Sequence, residues 1–234
     1  MNNINYSLSS HITLHEKKRS LYRYICGLLA GIMCIIIISS NMSITVSADD
    51  YPKAPDIESG NCILMDADSG IVLYEKNSGE KCYPASVTKL MTALIVAESC
   101  NLGDTLTVSR NAVSSVKYGD AAAGLKTGEE FMVEQALNVM LIKSANDMAY
   151  ALGEYAGGSI ANFANMMNKK AEELGCLNTH FTNASGLTDL NHYTTAYDMA
   201  LICRAVLGYP AIMNAISYTK SYSVPPTNKT ADTR

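Results

Sequence analysis

Two short patterns in this chain of 234 residues could carry nucleophilic chemistry. Ser86 and Lys89 form an S-x-x-K tetrad, which on a helix places both side chains one turn apart on one face. A lysine in apolar surroundings loses hydration, and its ammonium form is disfavoured. The neutral amine beside a serine hydroxyl can then take its proton and activate the nucleophile. The second pattern is the S-x-N triplet Ser144-Ala145-Asn146. Neither string is rare. The tetrad recurs at Ser78, Ser114 and Ser217, and the triplet at Ser39, Ser59, Ser99 and Ser109.

Context separates the copies. Pro84-Ala85-Ser86 opens a run reaching Glu98 with good helix formers and apolar residues on nearly every face. A helix that is apolar all round is a buried one. Lys89 therefore sits near one end of a buried helix, an unusual place for an ammonium. The other three tetrads lie in polar stretches, where solvated lysines are expected. Ser144-Ala145-Asn146-Asp147 breaks two apolar helical segments, 133–142 and 148–155. A polar break there needs side chains that satisfy freed backbone groups or a substrate, and Asp147 is placed to cap the second helix. Further helices are expected over 159–174, 195–207 and 210–216, with Gly157-Gly158, Gly175 and Gly208 as stops. Ahead of the tetrad, 62–65 and 71–74 flank Asp66-Ala67-Asp68-Ser69-Gly70 and read as a hairpin. Alternation around Thr105 to Val108 is weak, 118–130 and 178–192 read as loops, and no strand is expected after Val113 before 218–224. A lone two-stranded hairpin is marginal in water, so something should pair with it.

The composition, 48% hydrophobic and 17% charged with net charge −4, excludes a disordered chain. Scattered lysines without a basic stripe argue against a nucleic-acid partner. Lys17, Lys18, Arg19 and Arg23 precede an apolar run from Ile25 to Ile38, and Val46-Ser47-Ala48 follows it. That order describes a secretory signal peptide over 1–48, cleaved after Ala48. The alternative is an uncleaved N-terminal anchor, although the apolar run is shorter than the roughly 20 residues of a membrane-spanning helix. Both readings put residues 49–234 outside the cytoplasm, with a membrane surface as a neighbour. Residues 49–59 read as a linker ahead of a folded part over 60–234. Cys62, Cys82, Cys100, Cys176 and Cys203 remain after the leader, without a C-x-x-C pair, and read as buried single thiols. His180 and His192 are too few for a zinc site, and no metal or cofactor is expected.

The segment Pro84-Ala85-Ser86-Val87-Thr88-Lys89-Leu90-Met91-Thr92 resembles the nucleophile segment of the serine-type D-alanyl-D-alanine carboxypeptidases, the low-molecular-weight penicillin-binding proteins. Ser144-Ala145-Asn146-Asp147-Met148-Ala149 is similar to their second motif, and Asn183-Ala184-Ser185-Gly186-Leu187 and the run from His192 to Ala200 match as well. The likeness covers roughly residues 55–220. It implies an α+β fold of the β-lactamase/transpeptidase kind, with a helical subdomain on an antiparallel sheet whose late strands are missing from this chain. It also implies roles. Ser86 would attack the penultimate D-alanine carbonyl of a peptidoglycan stem peptide, with Lys89 as base. Ser144 would relay a proton to the departing D-alanine, and Asn146 would orient the acyl side. β-Lactams would acylate the same serine. The family's third motif, K-T-G, follows S-x-N. Here Lys126-Thr127-Gly128 precedes it and reads as a decoy, and Lys229-Thr230-Ala231 lacks the glycine. A truncated chain, an inactive or peptidoglycan-binding remnant, and more remotely a class A β-lactamase relative therefore stay open. For the last, the expected E-x-x-L-N loop is not found.

Overall fold

The early apolar runs meet as antiparallel strands β1 (Cys62–Met65) and β2 (Val72–Lys76), with Cys62 opposite Lys76 and Leu64 opposite Tyr74. Asp66 sets the turn between them, its carboxylate accepting the Ser69 N–H at 2.8 Å and the Ser69 hydroxyl at 2.6 Å. Gly70 supplies the positive φ of +76° that closes it. The computed structural model describes residues 23–29, 54–218 and 221–231. Of the expected leader over 1–48, only 23–29 falls among them, as a short helix. Among the described residues no single helix is long and apolar enough to cross a membrane.

After β2 the chain runs through a 3-10 turn, Ala85–Val87, into helix α1 (Thr88–Ser99). Then come β3 (Thr105–Thr107), α2 (Arg110–Ser114), β4 (Glu130–Met132), α3 (Val133–Lys143), α4 (Asn146–Gly157), α5 (Ile160–Glu173), α6 (Ala196–Leu207) and α7 (Pro210–Ile216). The result is α+β, with helices gathered around α1 and two small antiparallel sheets. α1 touches α3, α4, α5, α6 and α7, which is why its apolar residues cover every face. Met91, Ala93, Leu94 and Val96 are completely buried there. Polar caps start the surrounding helices. The Ser109 hydroxyl accepts the Ala112 N–H, Ser159 that of Asn162, and Thr195 that of Asp198.

Four expectations need correction. A strand does follow Val113: β4 begins at Glu130, the last residue of the expected loop, and pairs with β3 so that Leu106 faces Phe131, both buried. Three residues with one inward side chain are too short to show a period of two. The segment 221–224 is not a strand, and residues 219–220 lie outside the described part. The hairpin pairs with no further strand among the described residues. α6 packs on it instead, and Arg204 donates to the Ala67 and Asp68 carbonyls at 2.9 and 3.2 Å. The described cysteines are all unpaired. Only Cys176 is buried, its thiol pushed up to about 12 by burial, and Cys203 is exposed rather than buried.

Candidate active site

Ser86 stands on the 3-10 turn before α1, exposed, while Lys89 one turn later is only 2% exposed. Reaching this arrangement forces Ala85 into the left-handed region, at φ +46°. Such a conformation is strained for a residue with a Cβ and persists only where its surroundings over-determine it. The Val87 N–H closes the turn on the Pro84 carbonyl at 3.1 Å.

The Lys89 ammonium has three protons and finds three acceptors. Nζ donates to Asn146 Oδ1 at 2.7 Å, to the Ser185 carbonyl at 2.9 Å and to Ser86 Oγ at 3.2 Å. All three acceptors are uncharged. Burial without a countercharge lowers the Lys89 pKa to about 8. Once the amine is neutral, two protons can stay on Asn146 and Ser185. The freed lone pair then faces Ser86, the longest of the three contacts, and that bond can reverse direction.

Asn146 is brought to Lys89 by a break narrower than four residues. Only Ser144 and Ala145 separate α3 from α4, and Asn146 and Asp147 already belong to the first turn of α4. Ser144 closes α3 in the left-handed conformation (φ 55°, ψ 34°), the second strained non-glycine residue at the site. The Asn146 N–H donates to the Ala121 carbonyl at 2.8 Å. Asp147 is not a simple cap. Its buried carboxylate accepts the N–H groups of Ala123, Gly124 and Leu125 at 2.9 to 3.2 Å and so ties the 121–125 loop to the S-x-N turn.

The third wall is the 183–187 segment, which the sequence matched to the family without giving it a role at the site. Asn183 folds 183–187 into a turn, its Oδ1 accepting the Ser185 and Gly186 N–H groups at 3.1 and 2.8 Å. The Thr92 hydroxyl staples that turn to α1 through the Ala184 carbonyl at 2.7 Å. The Ser185 acceptor is a backbone oxygen, which no side-chain pattern announces. Gly186 (φ +84°) is packed so closely that a Cβ would lie 1.8 Å from the Ala85 carbonyl oxygen. The glycine was the available signal.

The four sequence candidates thus divide. Ser86, Lys89 and Asn146 share one hydrogen-bonded cluster, and Ser144 sits on the turn leading into Asn146. The two K-T tracts meet each other instead. Lys126 Nζ donates to the Lys229 carbonyl at 3.1 Å, and the Thr227 and Thr230 hydroxyls donate to Glu129 Oε1 at 2.6 and 3.0 Å. A cleft of about 70 Å³ lies beside the nucleophile turn, between Tyr83, Ala85, Leu187 and His192. A larger cavity of about 360 Å³, lined by Leu125, Phe131, Val139 and Tyr222, touches none of the four candidates. Among the described residues no three His, Cys, Asp or Glu side chains group as a metal site.

The sequence profile of the D-alanyl-D-alanine carboxypeptidase family matches residues 48–232. The chain is 38% identical over 197 residues to the D-alanyl-D-alanine carboxypeptidase DacF of Bacillus subtilis, covering 81% of this chain and 49% of that protein. It is 34% identical over 189 residues to DacC of Escherichia coli, covering 77% and 46%. The chain therefore spans about half the length of these curated relatives. Among solved structures, the DacD carboxypeptidase of Francisella tularensis superposes with a TM-score of 0.67 at 32% identity, covering 74% of this chain and 42% of that one. Penicillin-binding protein 6B of Escherichia coli gives 0.71 at 30%, covering 81% and 61%.

Proposed function

Since the chain belongs to the D-alanyl-D-alanine carboxypeptidase family, we propose that it acts as a serine hydrolase that removes the terminal D-alanine from peptidoglycan stem peptides ending in D-Ala-D-Ala. The observation carrying this reading is the Lys89 amine, buried among three neutral acceptors with Ser86 Oγ as one of them. Neutral Lys89 takes the Ser86 proton as Oγ attacks the penultimate carbonyl. The C–N bond to the terminal D-alanine then breaks, and the departing amine gains a proton relayed through Ser144. Asn146, held by Lys89 and the Ala121 carbonyl, orients the acyl chain. The Ser86 N–H, at the start of a helical turn, is a donor for the developing oxyanion. Water hydrolyses the acyl-enzyme, and a β-lactam follows the first step and stalls. The reaction belongs outside the cytoplasm, in keeping with the export leader read in residues 1–48.

Fluorescent penicillin labelling of the folded chain, with the adduct located by mass spectrometry, tests this directly. A covalent adduct on Ser86 that disappears in Ser86→Ala, together with D-alanine release from a stem-peptide analogue, is the expected result. A folded chain that forms no adduct would overturn the enzymatic reading and leave a non-catalytic, peptidoglycan-binding protein.

A further inference from the structure

His192 has no part in the reaction just described, yet both of its ring nitrogens are committed. The ring is 2% exposed and meets Phe181 edge-on at 5.4 Å. Nδ1 faces the Thr182 N–H at 3.1 Å. That N–H can only donate, so Nδ1 is the acceptor and the ring proton sits on Nε2. Nε2 then donates to Thr88 Oγ1 at 2.8 Å. Burial lowers the His192 pKa to about 4, with Asp189 and His180 of its own loop acting in opposite senses. The ring is therefore neutral wherever Lys89 could act as a base.

Thr88 is the completely buried member of the tetrad, lying between exposed Ser86 and buried Lys89. Thr194, two residues after His192, holds the other flank of the same turn. Thr194 and Cys82 exchange backbone hydrogen bonds at 2.8 and 2.9 Å, three residues ahead of strained Ala85. A short run from His192 to Thr194 thus grips the nucleophile turn upstream through Cys82 and downstream through Thr88. The left-handed Ala85 between these grips needs such over-determination.

We infer that His192 is a positioning residue for the Ser86 nucleophile, acting through its Nε2–H bond to the Thr88 hydroxyl. The inference rests on the proposed acyl transfer, and the test separates the two. Wild type, Thr88→Val, Thr88→Ser, His192→Leu, His192→Gln and the Thr88→Val/His192→Leu double variant are compared as full chains. Two acylating probes are used, a fluorescent penicillin and a fluorophosphonate. The second reports an activated serine without needing recognition as a D-alanyl mimic. Imidazole ¹⁵N shifts report the tautomer, and thermal unfolding reports the fold.

The expected tautomer is Nε2–H. Thr88→Val and His192→Leu should each slow acylation about 10- to 100-fold, the range for ångström-scale misplacement of a reacting group. The double variant should be no slower than the worse single one. Thr88→Ser and His192→Gln, which keep the hydroxyl and a donor, should recover to within about threefold. Thr88→Val is nearly isosteric and keeps the test alive if His192→Leu fails to fold. An Nδ1–H tautomer, additive losses, or rates that follow only the unfolding midpoint would overturn the inference. Wild type reacting with the fluorophosphonate but not the penicillin removes the substrate reading and leaves positioning open to the same variants. Reaction with neither removes both.

Discussion

If Lys89 is the base, acylation must follow its deprotonation. With a pKa lowered to about 8, roughly 1% of the amine is neutral at pH 6, about 10% at pH 7 and about half at pH 8. The acylation rate should therefore climb about 50-fold from pH 6 to pH 8 and level off above about pH 9. Time courses of penicillin labelling at constant ionic strength read this directly, with Lys89→Arg as the control. Arginine keeps the positive charge but cannot give it up in this range, so its rate should be low and flat. The same shift has a thermodynamic face. Folded Lys89 releases its proton near pH 8, unfolded lysine near 10.5, so the unfolded chain binds the extra proton between these values. Stability from this group is complete above about 10.5 and is lost as pH falls through about 8, by about 3 kcal/mol in total. Below that, the cost of burying the ammonium stays constant. A labelling rate independent of pH from 6 to 9, or one inflecting near 10.5, would refute Lys89 as a base tuned by burial.

His192 should behave in the same sense at lower pH. Its folded pKa of about 4 lies below the unfolded 6.5, so stability is full above about 6.5 and falls by about 3 kcal/mol toward pH 4. Subtracting His192→Gln from wild type in urea unfolding at pH 7 and pH 4.5 isolates that part, and equal slopes would contradict it. Gly186→Ala places a Cβ 1.8 Å from the Ala85 carbonyl oxygen at φ +84° and should cost about 4 kcal/mol together with acylation. Gly119→Ala, also at positive φ but with nothing within 4 Å, should cost only about 1 kcal/mol by denaturant unfolding. Ser144→Gly relieves a left-handed serine and should leave the thermal midpoint unchanged or raise stability by up to about 1 kcal/mol. D-alanine release should slow in the same variant, and a loss of stability would show that Ser144 is not strained.

The long elements were legible because their burial is one-sided or complete. α1 could be read from apolar residues on all faces, since five other helices, α3 to α7, touch it. α5 and α6 could be read from the glycine stops at Gly175 and Gly208 that follow them. β4 was not legible, because its single inward residue, Phe131, leaves no alternation to detect. The cluster of Ser86, Lys89 and Asn146 could be proposed from residue type and order, because a buried amine advertises itself in an apolar run. What closes the cluster could not. The Ser185 carbonyl is a backbone atom, and the Asp147 anchor serves amides 22 to 24 residues upstream. Side-chain identity says nothing of which backbone groups a fold leaves needing a partner.

The acceptors around a lysine matter as well as its burial, and the partly exposed Lys170 shows the opposite arrangement. Lys170 bridges Glu98 at 2.7 Å and Glu173 at 2.9 Å, and hydrogen bonds to those carboxylates raise its pKa. Lys89 meets an amide oxygen, a carbonyl and a hydroxyl, which accept its protons without stabilising its charge to the same degree. The carboxylate nearest in sequence to this cluster is Asp147, next to Asn146. It is turned to the amides of Ala123, Gly124 and Leu125 instead. Were that loop to release Asp147 toward Lys89, the amine would gain a countercharge, its pKa would rise, and the neutral base would vanish at physiological pH. The 121–125 loop therefore does more than hold Asn146 in place. By occupying the neighbouring carboxylate, it leaves Lys89 with uncharged acceptors, the condition that the proposed proton transfer from Ser86 requires.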